Sequence, residues 1–464
     1  MILHWFRRDL RLDDHAALAA AEGEPVLPVF ILDPGLARSS RVGAPRVAFL
    51  LEALRSLDGA LRVQGSRLIV RAGEPAQMLG ALLAETGARW VSFAADYSPY
   101  ARRRDARVQA VLPARAYDDQ LIHPPGRVLA RDGRPYTVFT RFKNAWLGLP
   151  PPAPIRTRPA WARPGIASDA IPALADLGFS LPDGFPLPPA SASGAQARLR
   201  EFVEKDLSRY AEGRDALAAD STSRLSPYLR FGLLSPRQAY WAAAAAREPQ
   251  AGPESEASVS AWISELIWRE FYQHVLYHFP RVANQNMRPG YEQVPWREAP
   301  DDFAAWREGR TGYPVVDAAM RQLAQTGWLP NRARMIAASF LTKDLLIDWR
   351  EGERYFMQAL VDGDPAANNG GWQWCAGTGA DAQPYFRVFN PVLQSRKFDP
   401  GGAYLRRWVP ELHALPEEQV HAPWERGVFP AGYPKPIIDH AFARRRALEA
   451  FGRARAVARG DGNG

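Results

Sequence analysis

Short apolar runs at residues 2–6, 26–32, 67–70 and 90–95 alternate, over the first 125 residues, with segments of helical composition such as 47–57 and 76–84. Brief buried-type runs separated by helix-length spacers predict βαβ units and a parallel sheet. No Gly-x-Gly-x-x-Gly follows the first run and no Gly-x4-Gly-Lys-Ser/Thr occurs, so a dinucleotide or P-loop phosphate cradle is not predicted. From about residue 147 to 192 the periodicity stops. Prolines at 150–152, 154, 159, 164, 172, 182, 186, 188 and 189 predict a long surface connector, because each fixes φ and removes a donor. Beyond residue 194 apolar positions recur every three or four residues at 259–279, 315–326, 331–349 and 355–361, which predicts helices. The stretch 440–459 is rich in Arg and Ala, residues 460–464 are expected to fray, and no internal repeat is present. The expected architecture is a Rossmann-like α/β domain over 1–128, a connector over 129–194 and an all-α domain over 195–464.

Composition narrows the classes. Of 464 residues, 47% are hydrophobic and 23% charged, which excludes wholesale disorder. Cys375 is the single cysteine, so no intramolecular disulfide framework and no Cys-only zinc or iron–sulfur site can form. The opening Met-Ile-Leu-His-Trp-Phe-Arg-Arg-Asp places charge after the apolar run, the reverse of a secretory leader, and no run of ~18 uncharged apolar residues occurs. A cytosolic, reduced protein is expected. The net charge is +8, and only five of the 58 basic residues are Lys (143, 205, 343, 397 and 435). Arginine forks suit phosphate oxygens. Genomic base composition produces the same bias.

Four segments carry chemistry. In Ala261-Trp-Ile-Ser-Glu-Leu-Ile-Trp-Arg-Glu-Phe-Tyr272, residues Glu265, Trp268, Arg269 and Tyr272 share one helical face with Trp262 in the turn before. A carboxylate, an indole, a guanidinium and a phenol are polar for a core stripe. They suit the wall of a cavity for a flat polar ligand, and equally a half-buried Glu265–Arg269 ion pair among aromatics. In Gly327-Trp-Leu-Pro-Asn-Arg-Ala-Arg-Met335, Pro330 suits a helix start, and Asn331, Arg334 and Met335 share a face. An amide can bond a base edge and a thioether can lie on a ring, or the same residues can simply begin a helix. Thr222-Ser-Arg-Leu-Ser226 is a hydroxyl cluster at a predicted helix start, suited to phosphate or to plain capping. Val361-Asp-Gly-Asp-Pro-Ala-Ala-Asn-Asn-Gly-Gly-Trp-Gln-Trp374 is predicted as a glycine-rich bend of carboxylates, amides and indoles, without the remaining ligands of an EF-hand. Fifteen Trp residues suit core packing and can also relay electrons.

These segments, with the opening His4-Trp-Phe-Arg-Arg-Asp-Leu-Arg-Leu-Asp-Asp14, resemble the DNA photolyase/cryptochrome family, and most closely its bacterial class I cyclobutane pyrimidine dimer photolyases. The resemblance runs from residue 1 to about 410. It implies an α/β antenna domain, a connector and an all-helical domain holding FAD, active when reduced, in a U shape. It implies a cytoplasmic monomer that meets the nucleoid through UV-damaged DNA and no membrane. Carried over residue by residue, it assigns Tyr210, Thr222, Ser223, Arg224, Leu225 and Ser226 to the adenosine diphosphate end of FAD. Trp262, Glu265, Arg269, Trp328, Arg334, Asp362, Gly363 and Asp364 are implied around the rest of the cofactor, with Asn368 beside flavin N5. Glu265, Trp268, Asn331, Met335 and Trp374 are implied to form the dimer pocket, and Trp296, Trp349 and Trp372 an electron relay. Implied DNA contacts are Arg214, Glu265, Trp268, Arg269, Asn331, Arg332, Arg387, Gln394 and Lys397. No metal is implied.

Within the family, a (6-4) photolyase would be expected to show histidines where this chain has Asn331 and Met335. A cryptochrome receptor often loses the dimer-binding Trp or Asn368, and both are kept here. A flavin sensor without repair activity shares every flavin residue and stands as the alternative. Folate-using relatives place an Asn-Glu pair and a Lys at the antenna cleft. The matching regions here read Asp96-Tyr-Ser-Pro-Tyr100 and Phe279-Pro-Arg-Val-Ala-Asn284, without that Glu or Lys. The resemblance therefore disfavours folate and places a deazaflavin ahead of a second flavin or an empty cleft.

Overall fold

In the computed structural model, which describes residues 1–21, 23–37, 39–163, 165–247 and 252–459, the chain gathers into two compact units. One comprises Met1–Ala211, Ser223–Pro280 and Val361–Ala366; the other comprises Glu212–Thr222, Arg281–Leu360 and Ala367–Gly464. The linear division drawn from the sequence is thus not the division made by contacts, which group residues 223–280 with the sheet. Pro164 of the proline-rich stretch and the fraying expected at 460–464 lie outside the described residues.

The first unit is built on β1 (Ile2–Phe6), β2 (Pro25–Leu32), β3 (Ile69–Ala72), β4 (Val91–Ala94), β5 (Ala114–Tyr117) and β6 (Ala160–Trp161). Strand order is β3-β2-β1-β4-β5, with β6 also on β2, and every pairing is parallel. Leu3 pairs with Leu27 on one side and Val91 on the other. All five residues of β1 are buried, as expected for a central strand covered on both faces. One face holds a core of Leu3, Trp5, Val29, Ile31 and Phe93 against Leu79, Leu82 and Val108. The order reverses between β1 and β4, so the carboxyl ends of these strands form the crevice where such sheets present ligands.

Helices α1 (Ala44–Val63), α2 (Pro75–Thr86), α3 (Pro99–Val111), α4 (Phe139–Leu147), α5 (Ala192–Lys205), α6 (Ser226–Phe231), α7 (Pro236–Ala245) and α8 (Pro253–His278) complete the unit. Proline at the first turn and a capping side chain set several starts: Glu74 accepts from Gln77 N–H at 2.9 Å, and Ser98 accepts from Ala101 N–H at 3.4 Å. Three sequence expectations need correction. Helix α4 lies inside the 129–194 connector, driven by the buried stripe Phe139, Phe142 and Trp146. Strand β5 was not foreseen, because its four residues are partly exposed and carry Arg115. The run at 67–70 is paired two residues later, over Ile69–Ala72.

Buried charge joins the sheet to the helices of its own unit. Arg237 Nε donates to Asp14 Oδ1 at 2.8 Å and its Nη2 to Asp119 Oδ1 at 2.7 Å, while Arg11 also pairs with Asp119. Burial alone would raise the Asp119 carboxyl; Arg11, His15 and Arg237 hold it below its ordinary range. Gly232, at φ +68°, passes so close to β1's exit loop that a Cβ would stand 2.1 Å from the Arg8 carbonyl oxygen. Only glycine fits both demands. His4, Asp9 and His15 gather in the same interior, where His15 Nδ1 accepts from Leu18 N–H and Nε2 faces Asp9 Oδ2 at 3.0 Å.

The second unit is helical: α9 (Pro300–Arg307), α10 (Pro314–Thr326), α11 (Asn331–Ser339), α12 (Trp349–Ala359), α13 (Pro365–Ala376, whose first two residues belong to the other unit), α14 (Pro391–Phe398), α15 (Ala403–Trp408) and α16 (His440–Arg459). Trp306, Trp349, Phe340 and Tyr404 lie in its core. The helix expected over 331–349 is interrupted. After α11 the chain makes a π-helical turn, Phe340–Asp344, then places Leu346 at φ +55°, and Asp348 caps α12. The bend expected over 361–374 is a helix from Pro365 onward, started by Ala366 N–H donating to Asp364 Oδ1 at 2.9 Å. Among the described residues no helix is long and apolar enough to cross a membrane.

Candidate functional site

In the first unit, α8 buries Ile263, Leu266, Ile267, Glu270 and Phe271 and leaves Glu265, Trp268, Arg269 and Tyr272 half-buried on one side. Trp268 lies flat on Phe139 from α4, with ring centroids 3.6 Å apart and planes 6° from parallel. The plane of the indole is therefore set by a neighbour that sequence reasoning did not pick. Glu270 anchors this arrangement from below: it accepts from Trp146 Nε1 at 2.6 Å and from His123 N–H at 3.2 Å. Burial raises its carboxyl despite these bonds. Arg269 donates to the carbonyls of Gln120 (2.9 Å) and Leu229 (3.4 Å), so the ion pair with Glu265 that the spacing allowed is not what holds it. Burial lowers its guanidinium, and Asp364 opposes that shift.

Asp362, Gly363 and Asp364 are gripped by basic groups of the same unit. Ser226 Oγ donates to Asp362 Oδ2 at 2.6 Å. Arg230 Nε donates to Gly363 O at 2.9 Å and Arg46 Nη1 to the same oxygen at 3.3 Å. Arg8 pairs with Asp364, and Gln273 Nε2 donates to Asp364 Oδ1 at 3.0 Å. Burial and the neighbouring Arg8 lower the Arg230 guanidinium to about 9. Its Nη1 is buried without a hydrogen-bond partner among the described residues. Such an orphaned donor calls for a polar acceptor. Arg224 sits at φ +49°, a backbone conformation costly for a side chain of its size and frequent at ligand sites. Tyr210 and Trp262 come together around Phe202, 5.8 and 5.5 Å from its ring centroid. Ser223 stands beside Arg198, whose Nε donates to its carbonyl at 2.9 Å, and Leu225 is buried just before α6.

In the second unit, α11 places Asn331 one turn before Met335, with Nδ2 donating to Sδ at 3.6 Å. Arg334 lies on the same side and donates from Nε to Leu329 O at 3.0 Å; Trp328 is half-buried just ahead of the helix. On α13, Asn369 and Gln373 turn towards residues 282–287. Asn369 Nδ2 and Gln373 Nε2 both donate to Val282 O, at 2.9 and 3.0 Å. Asn368 Nδ2 donates to the backbone oxygen of Glu353 at 3.0 Å and to its Oε1 at 3.2 Å, so an acceptor is what its side chain still offers. A Cβ at Gly371 would meet no atom within 4 Å, which leaves that side of α13 open. Trp374 is half-buried against the helical core.

The three indoles assigned to a relay all belong to this unit. Trp372 and Trp349 are buried, the latter donating from Nε1 to Asn286 Oδ1 at 2.8 Å, and Trp296 is half-buried with an edge on Phe451 at 5.7 Å. Of the DNA candidates here, Arg387 and Lys397 are exposed and Arg214 and Gln394 half-buried. Arg332 is already engaged, by Asp215 at 2.7 Å and by the Phe398 ring 4.2 Å below it.

Comparison with known proteins places this geometry. Residues 2–159 match the family model for DNA photolyase, and residues 262–453 match the model for the FAD binding domain of DNA photolyase. A deoxyribodipyrimidine photo-lyase of Synechococcus is 41% identical over 98% of this chain and 97% of its own length. The chain belongs to the DNA photolyase family. Among solved structures, a bacterial class III photolyase from Agrobacterium tumefaciens matches with a TM-score of 0.90 and 39% identity, covering 98% of this chain and 97% of that one. A cryptochrome from Synechocystis matches at 0.89 with 28% identity, over 97% of this chain and 99% of that one.

For a DNA photolyase relative the residues present suit FAD. The buried, unpartnered Arg230 Nη1 and the acceptor left by Asn368 are what an anionic and hydrogen-bonding cofactor requires. Sequence reasoning missed Arg8, Arg46 and Arg230, the cations that order the Asp362–Asp364 turn, because nothing in one chain's spacing links residue 8 to residue 364. Phe139 was within reach of its own i, i+3, i+7 stripe.

Proposed function

We propose that this protein repairs cyclobutane pyrimidine dimers in DNA, driven by light through bound FAD, as a class I type enzyme. The observation that carries the reading is Trp268: an indole left half-buried on the polar side of α8, its plane fixed by Phe139, with Glu265 three residues away. A flat apolar plate beside a carboxylate suits a fused pyrimidine pair, whose rings stack and whose edges offer N–H and C=O groups. Trp374, Asn331 and Met335 join them by resemblance. Asn331 and Met335 stand where a (6-4) enzyme would carry histidines, and Asn331 Nδ2 already reaches Met335 Sδ at 3.6 Å.

The protein's share of the work is binding, orientation and exclusion of water. Arg214, Arg332, Arg387 and Lys397 neutralise phosphates, a salt-sensitive contribution. Photolyases are among the enzymes known to extrude their target nucleotides, at least cost where stacking is already damaged. Trp268 and Trp374 replace the lost stacking, and Glu265 holds a hydrogen bond to the pyrimidine edge. When bound and reduced, FAD supplies on excitation the electron that opens the cyclobutane ring and takes it back afterwards. For bound FAD, Asn368 would offer an acceptor to the flavin edge, while Ser226 and Arg230 hold Asp362 and Gly363 in place within their own unit. Residues 1–128 serve as an antenna domain and 195–464 as the catalytic one. The crevice at the ends of β1 and β4 takes a second chromophore, for which a deazaflavin suits better than folate. Because Arg8 and the Ser98 N–H hold Asp96 ionised there against its burial, that chromophore meets paired charge.

The test is repair of UV-irradiated oligothymidylate by the purified protein under blue or near-UV light. Dimers lost only in lit samples support the reading. An unchanged dimer yield from protein that holds FAD leaves a cryptochrome-like sensor, and protein without FAD removes both.

A further inference from the structure

Two rings border Trp372 that are not relay indoles: Phe356, with its centroid at 5.0 Å, and the oxidisable Trp306. Trp306 on α9 meets Trp372 edge-on at a centroid distance of 6.0 Å, and it is fully buried. From Trp306 the next oxidisable ring is Tyr355 on α12, 5.7 Å away and half-buried. Phe303 and Phe356 flank Trp306 at 5.8 and 5.9 Å, but phenyl rings are far harder to oxidise than indoles or phenols. All these residues lie in the second unit.

We propose that Trp306 and Tyr355 form a second exit for the oxidising equivalent from Trp372, parallel to the route through Trp349 and Trp296. The proposal rests on the relay reading of Trp372. One electron passes from Trp372 to the light-excited oxidised flavin. Trp306 returns one electron to Trp372, and Tyr355 returns one to Trp306, so the flavin gains what Tyr355 loses. Trp306 Nε1 donates to Ala337 O at 3.1 Å inside the core, and an amide oxygen is too weak a base to take its proton, so an oxidised Trp306 stays cationic and must be refilled. Tyr355 differs. The Arg307 guanidinium, 6.0 Å from the phenol ring, opposes a cationic ring. The phenol hydroxyl donates to Arg307 O at 3.4 Å in a bond open to solvent, and a carbonyl cannot keep the proton, so losing the electron goes with releasing it to solvent and leaves a neutral tyrosyl radical. Tyr355 is thus the end of the branch and Trp306 its bridge.

The experiment follows light-driven reduction of oxidised FAD in the holoprotein by absorbance, and trapped radicals by electron paramagnetic resonance. With Trp349→Phe closing the first route, photoreduction should persist and a tyrosyl signal should appear. Adding Trp306→Phe should lower the remaining photoreduction by about tenfold or more, a non-additive loss that marks two parallel routes. Adding Tyr355→Phe instead should abolish the tyrosyl signal, and this variant decides the matter should the core change at Trp306 impair folding. Photoreduction in Trp349→Phe as low as in Trp372→Phe, or a tyrosyl signal that survives Tyr355→Phe, overturns the branch. Failure of the underlying relay looks different: Trp372→Phe alone would then photoreduce as fast as the unaltered protein.

Discussion

Gly352 is the point where the relay meets the backbone of a helix. It lies one turn beyond Trp349 in α12, and a Cβ built on it would stand 2.1 Å from Trp372 Cη2, 2.5 Å from Cζ3 and 2.6 Å from Leu341 Cδ2. Ordinary carbon contacts are about 3.5–4.0 Å, so Gly352→Ala requires the indole to retreat by roughly 1.4–1.9 Å. There is nowhere to go: Trp372 is 2% exposed, with Trp306 at 6.0 Å and Phe356 at 5.0 Å. Overfilling a core costs about 1–3 kcal/mol, and the better helix propensity of alanine returns up to about 1 kcal/mol. With an approach this close the upper end of the overpacking range applies, so the expected net loss is about 2 kcal/mol, read as a lower urea midpoint with tryptophan fluorescence as probe. Because the displaced ring is Trp372, FAD photoreduction should fall by more than any fall in FAD content. A variant as resistant to urea as the parent, with unchanged photoreduction, would show that this contact neither sets Trp372's place nor matters to electron flow.

Lys343 offers a test by pH. It is fully buried, donates to Ala376 O at 2.7 Å, lies 3.4 Å over the Phe451 ring, and burial lowers its amine from 10.5 to about 7. The unfolded chain then binds one more proton between pH 7 and 10.5, so stability rises with pH across that window and is lost as pH falls towards 7. The slope is about 1.4 kcal/mol per pH unit, and Lys343→Met should flatten it in urea titrations at pH 7, 8 and 9; an unaltered slope would contradict the burial argument. Arg332→Ala should weaken binding to damaged DNA and reduce the salt slope by about one unit, measured by fluorescence anisotropy, and an unchanged slope would strike Arg332 from the phosphate contacts. Phe139→Ala should cost about 3–5 kcal/mol of stability and loosen Trp268; affinity for the dimer should drop more than FAD content, and equal losses would speak against the stacked plate.

The sheet and the long helices were legible because their signals are local. Residues 2–6 form a strand with those bounds, and 315–326 form a helix one residue longer, since burial on both faces or on one stripe writes a period into a single segment. The break after Ser339 was not legible. Residues 340–347 are apolar enough to continue a helix, and the left-handed Leu346 is imposed by its burial with Val294 and Phe451 rather than by its own preference. The glycines at 370 and 371 suggested a bend, yet proline at the first turn and the Asp364 cap start a helix that tolerates them. The face shared by Glu265, Trp268 and Arg269 was visible from spacing alone. Its support was not: Phe139, Glu270 with Trp146, and Arg8 with Asp364 are meetings between distant segments, and one sequence contains no record of distance.

The buried quartet of Asp14, Asp119, Arg11 and Arg237, and the passage of Gly232 over Arg8, make the amino-terminal sheet a structural partner of residues that follow the connector. A fragment starting at residue 195 would leave Arg237 a solitary cation in an apolar interior and strip the cover from Phe231. A cut at the proline-rich stretch would separate these buried partners, so the sheet and residues 223–280 are expected to be exchangeable between relatives only together.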